Sequence, residues 1–557
     1  MNHQIIHVKT VIIGAGMAGI SASINLLENN YKDFLVFEAL ERIGGRVCTY
    51  KTDKGYFELG AQWIHGQNGN PLYEIAKKNN LLQPGFENLL QNPVAPKIDE
   101  KNLEFPVEKF KNRTLLQNLN LKTDRDTTLF VTQNGQKISL EFAQSVYDTI
   151  TKIILSAELL NLDQKSHVDN RVGDYLYDKF CEIVRNEMGK NLLEHKPEDF
   201  SDFDLKRLLN GLFLQRARRE NIRTGCYNIF DVSLKNFSCY KEFPGHSYVE
   251  LKHGFGPVID ALIHKHKNDF YTRVHTKHFL KKIILSPDLV DSECYQRPNL
   301  HSVYANSKNK AVVIICDASN PQRPRDFVIV CDQVLCTMSL GYMKENFNNI
   351  IEPLCLMPEE KRLAVSRLGF GCTNKIFLLY NEPFWNDKMS LVNLVWLPDD
   401  LNFRLDKLNH RNDTRKLWYE DMVKFEVVHS HPNAISGWMA GNVDFEQLDD
   451  QTIATKCTEN LRKFLNDQNI PEPKSIIRTK WHSNRYSRGS YSHMPLGSSP
   501  DDFDAMARPI PNEQNPIVMF AGEATIKDLF STIHGAFLTG VRESERILRK
   551  NRTSPRL

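Results

Sequence analysis

The sequence carries almost no net charge: 71 Lys and Arg residues offset 68 Asp and Glu, leaving +3 at neutral pH over 557 residues. That balance excludes nucleic-acid binding by bulk electrostatics, which needs a marked basic excess; it leaves small charged substrates open. No uninterrupted apolar run approaches the ~18 residues of a membrane-spanning helix, so no membrane partner is expected. No cleavable secretory pattern is present either. The eleven cysteines, from Cys48 to Cys457, include no CxxC pair and no dense spacing. This excludes a disulfide scaffold and leaves buried thiols in a reducing compartment, with no structural metal. Sequons begin at Asn112, Asn236, Asn412 and Asn551, and matter only in a secreted chain. There is no repeat and no low-complexity tract, while 41% hydrophobic and 25% charged residues describe a globular protein. The length corresponds to about three or four domain-sized units.

What is present begins at once. VKTVII (8–13) is a β-branched run suited to a buried parallel strand, GAGMAG breaks it, ISASINLLENN has helical spacing, and DFLVFEA is a second apolar run. Strand, glycine turn, helix and strand make a βαβ unit. Gly14, Gly16 and Gly19 form G-x-G-x-x-G in that context: the first for the tight turn, the second for close backbone approach to a pyrophosphate, the third for helix–strand packing. The helix N-terminus then offers unpaired N–H groups and a positive dipole end. Glu38, 19 residues after Gly19, is placed to accept from ribose hydroxyls. This unit predicts a dinucleotide site without deciding between FAD and NAD.

Next comes ERIGGRV (41–47), where Gly44 and Gly45 allow backbone approach and Arg46 brings a fixed charge toward a diphosphate. ELGAQWIHG (58–66) sets Trp63 and His65 in a turn bracketed by Gly60, Ala61 and Gly66. Taken alone, that segment suits a turn tucking its rings into a core as well as it suits a site.

Residues 87–145 read as a polar, irregular insertion with short elements, and 146–219 as mostly helical. AVVIICDA, DFVIVCDQVLC, TNKIFLLY, SLVNLVWL and AISGWMAG read as strands, and 286–310 as a surface loop. The tail returns to strand (PIVMF), turn and helix (STIHGAFLTGVRESERILRK). Dinucleotide-type material at both ends predicts a discontinuous domain with a second one inserted.

Together GAGMAG, Glu38, ERIGGRV, ELGAQWIHG, TNKIFLLY, WHSNRYSRGSYS and FAGEAT…STIHGAFLTGVRE make the chain resemble the flavin-containing amine oxidases, and within them the polyamine oxidases. The resemblance is weakest over 87–220. It implies an α/β fold: a discontinuous Rossmann-like FAD-binding domain (1–86, 247–345 and 475–557) with an inserted α+β substrate-binding domain (87–246 and 346–474). It implies FAD, and oxidation of a polyamine's secondary amine by hydride transfer to the flavin. The imine is then hydrolysed to an aminoaldehyde and a shorter polyamine, and O2 is reduced to H2O2.

The site residues follow from the same resemblance. Gly14, Gly16, Ala18, Gly19, Glu38 and Arg46 would bind the cofactor, with Gly60, Ala61, Gln62 and Trp63 lining the flavin. Leu280 would meet the adenine through its backbone, Trp481 would lie at the flavin, and Glu523 would meet the ribityl chain. His65, Lys375 and Tyr491 would be catalytic: a neutral His65 in the substrate tunnel, a desolvated Lys375 beside the flavin, and Tyr491 as one wall of the amine site. Where monoamine oxidases have a second tyrosine this chain has Thr532, opening that side to an elongated amine. Ser490 stands where covalent relatives have cysteine, which implies non-covalent FAD. IFDVSL (229–234) resembles a segment of the spermine-oxidising branch, making Asp231 and Ser233, with Ser531 and Thr532, the expected contacts to the far amines.

Two other amine classes stay open, amino acids and methylated lysine, as does a catalytically silent flavoprotein; retention of His65, Lys375 and Tyr491 argues against the last. The chain ends in Pro-Arg-Leu, which departs from S-K-L-type peroxisomal signals at the first place. A peroxisomal address is expected, with the cytoplasm as the alternative.

Overall fold

The computed structural model of the chain describes residues 5–87, 127–160, 170–186, 202–286, 311–387, 389–398, 417–441 and 443–553. The opening unit is β1 (Ile5–Ile13), α1 (Met17–Glu28) and β2 (Phe34–Phe37). β1 goes from alternating exposure to full burial over its last four residues, where it lies between two parallel neighbours. α1 ends at Asn29, and Asn30 turns the chain back with φ +57°.

Among the described residues, nine strands join in this first sheet. β1 is flanked in parallel by β2 and by Arg325–Cys336, which pairs in parallel with Pro516–Phe520. The other edge of Arg325–Cys336 runs antiparallel to Ala311–Asp317, followed by His278–Leu285 and Ile351–Glu352. The strongest sequence signals, VKTVII, DFLVF and PIVMF, are thus the parallel strands, where both faces are covered and apolar runs need not alternate.

A second, mostly antiparallel sheet holds β3 (Thr373–Leu379), β4 (Met422–Val427) and β5 (Ala434–Ala440), with Ser475–Arg478 on one side and Leu391–Val395, Thr128–Thr132 and Lys137–Ile138 on the other. Trp438 of β5 lies opposite Lys375 of β3 and Lys424 of β4. Directly opposed residues share a face, so register alone brings these three side chains together. Helices α2 (Leu140–Leu159) and α3 (Asp202–Thr224) share one core with Val172–Arg185 and the end of Leu391–Val395. Ser139 caps α2 by accepting from Phe142 N–H, and Phe142, Val146, Ile150, Ile153 and Ala157 form its buried stripe.

The final helix, α4 (Ile533–Thr553), returns to the first sheet and crosses α1. A Cβ on Gly540 would come within 2.1 Å of Ala18 O, so only glycine permits this crossing distance. Ser21 Oγ donates to Phe537 O and Asn25 to Ser544 Oγ across it.

The tract read as an insertion with short elements holds a five-residue strand, Thr128–Thr132, parallel to Leu391–Val395, and the first turn of α2; its part from 88 to 126 lies outside the described residues. Two boundaries differ from those expected. Ser475–Arg478, expected with the cofactor domain, extends the second sheet, whereas Ile351–Glu352, expected with the substrate domain, edges the first. The 287–310 loop and the Pro-Arg-Leu terminus also lie outside the described residues.

Candidate active site

Ile13, Phe37, Cys336 and Phe520 lie in register at the carboxyl ends of four parallel strands. Just beyond them, Gly14, Glu38, Thr337 and Gly522 open into a cavity of about 780 Å³. Open parallel sheets bind ligands in this position. The cavity continues past the first sheet to β3, β5, α2 and α3, so one space joins a dinucleotide-type crevice to a chamber walled by the second sheet.

The glycines divide their labour. Gly14 has φ +102°, and a Cβ on Gly19 would come 2.0 Å from Gly14 O, so Gly19 acts by letting α1 close over the turn and does not itself line the cavity. Gly16 is the opposite case: a Cβ there meets no atom within 4 Å. It N-caps α1 at the cavity wall; Gly522, equally open at φ +131°, lines the cavity at the start of the short 3-10 turn Glu523–Thr525. Gly45 Cβ would lie 3.3 Å from Gly16 Cα, so the ERIGGRV turn packs on the fingerprint turn. These positions are a cradle of bare backbone that side chains would fill.

Glu38 accepts from Ala15 N–H at 2.7 Å and Leu40 N–H at 2.8 Å, one bond per oxygen, leaving lone pairs on the cavity side. Burial raises its pKa, and the two backbone donors oppose the shift. Leu280 and Ala18 line the same region.

Arg46 and Glu523 both line the cavity but are bonded to each other, Nη1 to Oε1 at 2.9 Å. Arg46 also donates to Ser490 O, and Glu523 accepts from Ser492 Oγ and Ser531 N–H. The expected diphosphate charge and ribityl partner are therefore one ion pair that ties three loops together. Ser490 occupies itself on Thr373, accepting from its N–H and donating to its carbonyl.

Lys375 clamps the ELGAQ turn. Its Nζ donates to Glu58 O at 2.8 Å, Gly60 O at 2.9 Å and Gln62 Oε1 at 2.8 Å, and lies 4.2 Å from the Trp438 ring centre. Trp438 stacks on Trp63 with centroids 5.5 Å apart. Burial lowers the pKa of the ammonium and raises that of the neighbouring Glu58 carboxyl, and the attraction between the two opposes both shifts. Ala61 and Trp481 complete this wall.

His65 faces the cavity from the end of the same turn. Its Nδ1 is 2.7 Å from Ser247 O, an atom that can only accept, so Nδ1 carries the proton and Nε2 is left as an acceptor. Burial lowers its pKa and keeps the ring neutral. Glu242, unremarked in the sequence, places Oε1 3.8 Å from Nδ1 and lines the cavity; burial pushes its carboxyl up to about 7.

The expected substrate contacts fare unevenly. Tyr491 lines the cavity, its ring lodged where Gly225 has no Cβ, and its hydroxyl donates to Ile222 O and meets Thr373 Oγ1 at 3.0 Å. Burial raises the phenol's pKa, so it stays protonated. Ser531 and Thr532 also line the cavity, but their hydroxyls are committed: Ser531 donates to Ser492 O, while Thr532 caps α4 by accepting from Gly535 N–H and donates to Leu529 O. Asp231 and Ser233 are not brought to the cavity. The backbone is extended at Val232, so Val232 faces inward and its two neighbours point into the protein.

A row of further charges lining the chamber comes from α3. Arg216, Arg219, Glu220 and Arg223 follow i, i+3, i+4, i+7 spacing, which puts them on one face. Glu220 pairs with Arg216 and with Arg223 at 2.6 Å, and Arg223 reaches Glu158 of α2 at 2.6 Å. The spacing in RARRENIR carried that signal.

Comparison with known proteins agrees with this geometry. The model of the flavin-containing amine oxidoreductases matches residues 17–548. The chain is 27% identical to the peroxisomal N(1)-acetyl-spermine/spermidine oxidase of Bos taurus, over 97% of this chain and 94% of that one. It is 25% identical to a probable polyamine oxidase of Arabidopsis thaliana, over 97% and 98% of the two chains. A solved putrescine oxidase variant shares the fold at a TM-score of 0.59 and 12% identity, covering 98% of this chain and all of that one. The bare-backbone cradle, the chamber joined to it and a family match over nearly the whole chain come to one conclusion: this chain belongs to the flavin-containing amine oxidoreductase family and is a flavin-dependent amine oxidase.

Proposed function

We propose that the enzyme oxidises polyamines at a secondary amine, using FAD held without a covalent bond. Substrate, oxygen and water give an aminoaldehyde, a shorter amine and hydrogen peroxide. The observation that carries this reading is the neutral His65 imidazole beside the Glu242 carboxyl, facing the chamber that holds Lys375, Trp63 and Trp438.

Bound flavin supplies the two-electron acceptor for the C–H bond next to the amine nitrogen. The chain's residues do the rest. Gly14, Gly16, Ala18 and the N-terminus of α1 receive the pyrophosphate, and Glu38 receives the ribose. The Arg46–Glu523 pair fixes the loops around the centre of the cofactor, with Leu280 toward its adenine end. Gly60, Ala61, Gln62, Trp63 and Trp481 border the flavin ring. His65 Nε2 accepts an N–H from the incoming ammonium, and Glu242 supplies the opposing charge. Lys375, its pKa lowered by burial, holds or gives up a proton at Nζ beside the reacting atoms. Tyr491 walls the amine site with its ring. With Ser490 at the position before that tyrosine, the place of the cysteine in covalent relatives offers no thiol for a thioether.

A peroxisomal address belongs to the same proposal, resting on the Pro-Arg-Leu terminus and the production of peroxide. The test is anaerobic mixing of the purified protein with spermine, spermidine and N1-acetylspermine while following flavin absorbance. Bleaching by at least one, with recovery and peroxide on admitting air, is expected. A bound flavin that none of them bleaches overturns the polyamine reading and redirects the search to amino acids and methylated lysine. Acid precipitation is expected to release all the FAD into the supernatant.

A further inference from the structure

One face of the chamber is rich in hydrogen-bond donors. Arg219 sits on the cavity face of α3 with its guanidinium 5.9 Å from the Tyr147 ring centre. Its neighbours are consumed: Arg216 and Arg223 by Glu220 and Glu158, Arg218 by Asp421, and Lys424 by Glu426. Arg219 makes no ion pair with any carboxylate among the described residues. Asp148, the other acid on this wall, receives Gln144.

A second observation comes from the hydroxyls near it. Tyr147 is 6% exposed and lines the cavity, and its hydroxyl stands near the Arg219 side chain without a well-formed hydrogen bond to it or to any other described residue. Thr128 Oγ1, buried on the same cavity, has no hydrogen-bond partner among the described residues. A guanidinium without a counter-ion and two hydroxyls short of partners make a donor-rich pocket, and buried polar groups of this kind call for a partner. Arg219 lies one helical turn, about 6 Å, along α3 from Arg223, the α3 residue whose charge reaches His65. The pocket is thus displaced along α3 from the end of the chamber where Arg223 acts on His65.

We propose that Arg219, Tyr147 and Thr128 form a subsite for the oxygen of an acyl carbonyl or carboxylate at the end of the amine remote from the oxidised nitrogen. Arg219 is then the specificity-determining residue, selecting such ends over a free ammonium. The inference rests on the polyamine reading.

The test measures anaerobic flavin bleaching in the holoenzyme against concentration for spermine, N1-acetylspermine and N1-succinylspermine. The acyl forms are expected to half-saturate at about tenfold lower concentration than spermine, the scale of one charge-assisted hydrogen bond. Stronger binding of the succinyl form identifies the ligand group as carboxylate, and of the acetyl form as carbonyl. Arg219→Gln is expected to erase the preference while the limiting bleaching rate stays within about threefold, since binding alone is lost. Tyr147→Phe provides the same comparison at smaller amplitude if Arg219→Gln fails to hold flavin. Spermine half-saturating at or below both acyl forms, or an unchanged preference in the variants, overturns the subsite alone. Failure of all three amines to bleach bound flavin overturns the polyamine reading, and the subsite with it.

Discussion

Lys375 Nζ sits 4.2 Å above the centre of the Trp438 ring. The two residues are direct cross-strand partners, so this contact is fixed by sheet register rather than by a flexible loop. The same ammonium binds three oxygens of the turn at Glu58, Gly60 and Gln62, which makes it both the tether of that turn and a proton-bearing group. Lys375→Met removes the proton and keeps the stem. The expected outcome is a loss of roughly a hundredfold or more in turnover, the usual scale for a positioned acid–base group. Stopped-flow measurement of flavin reduction and reoxidation separately will show which half-reaction carries the loss.

The pH dependence has a definite sign. Burial raises the Glu242 carboxyl to about 7, so it is charged above that pH and neutral below it. His65 is lowered, so its ring remains an acceptor until more acid conditions. kcat/KM for a cationic amine should fall as pH drops through about 7. Glu242→Gln should flatten that limb and raise KM more than it lowers kcat, as read from pH profiles of wild type and variant.

Two glycine substitutions separate folding from cofactor binding. Gly16→Ala meets no protein atom, so the variant should unfold at the wild-type temperature without cofactor, yet purify with little flavin. Gly19→Ala drives a Cβ into Gly14 O and should lower both stability and flavin content. Absorbance and thermal unfolding of cofactor-stripped protein check the pair.

Glu220 is a stability residue. Burial raises its pKa, but Arg223 and Arg216 outweigh this and hold the carboxyl at about 2. Because that lies below its unfolded value, the contribution is present above about pH 4.5 and is lost as pH falls toward 2. Glu220→Ala leaves the buried Arg216 guanidinium without its counter-ion, while Arg223 keeps Glu158, and should destabilise the protein by about 3 kcal/mol. Denaturant unfolding at pH 7 and pH 4 will measure the cost and its sign with pH.

The parts of the structure legible in sequence share one physical property: they are local. The fingerprint turn, its strand and helix, and the helical stretches before Gly225 all follow from neighbours a few residues apart. Thr128–Thr132 escaped notice because its partner strand begins at Leu391, far along the chain, and a short edge-side run between polar segments gives no period to read. Asp231 and Ser233 were misjudged for a related reason. Resemblance can align residues without saying which way an extended segment faces, and here Val232 faces in. Glu242 was invisible as a site residue because an isolated acid looks like solvated surface until tertiary packing encloses it. The α3 charges were readable in principle, since their helical spacing places them on one stripe.

The crossing of α1 by α4 has a bearing on how the enzyme is made. The Ala18–Gly540 contact, the Arg46–Glu523 ion pair and the pairing of Pro516–Phe520 with Arg325–Cys336 all join early chain to late chain. During synthesis on the ribosome, the glycine turn emerges first but lacks its far wall until α4 has left the exit tunnel. Flavin capture is therefore a late event, and a truncated translation product that ends before α4 holds half a cradle and releases no peroxide.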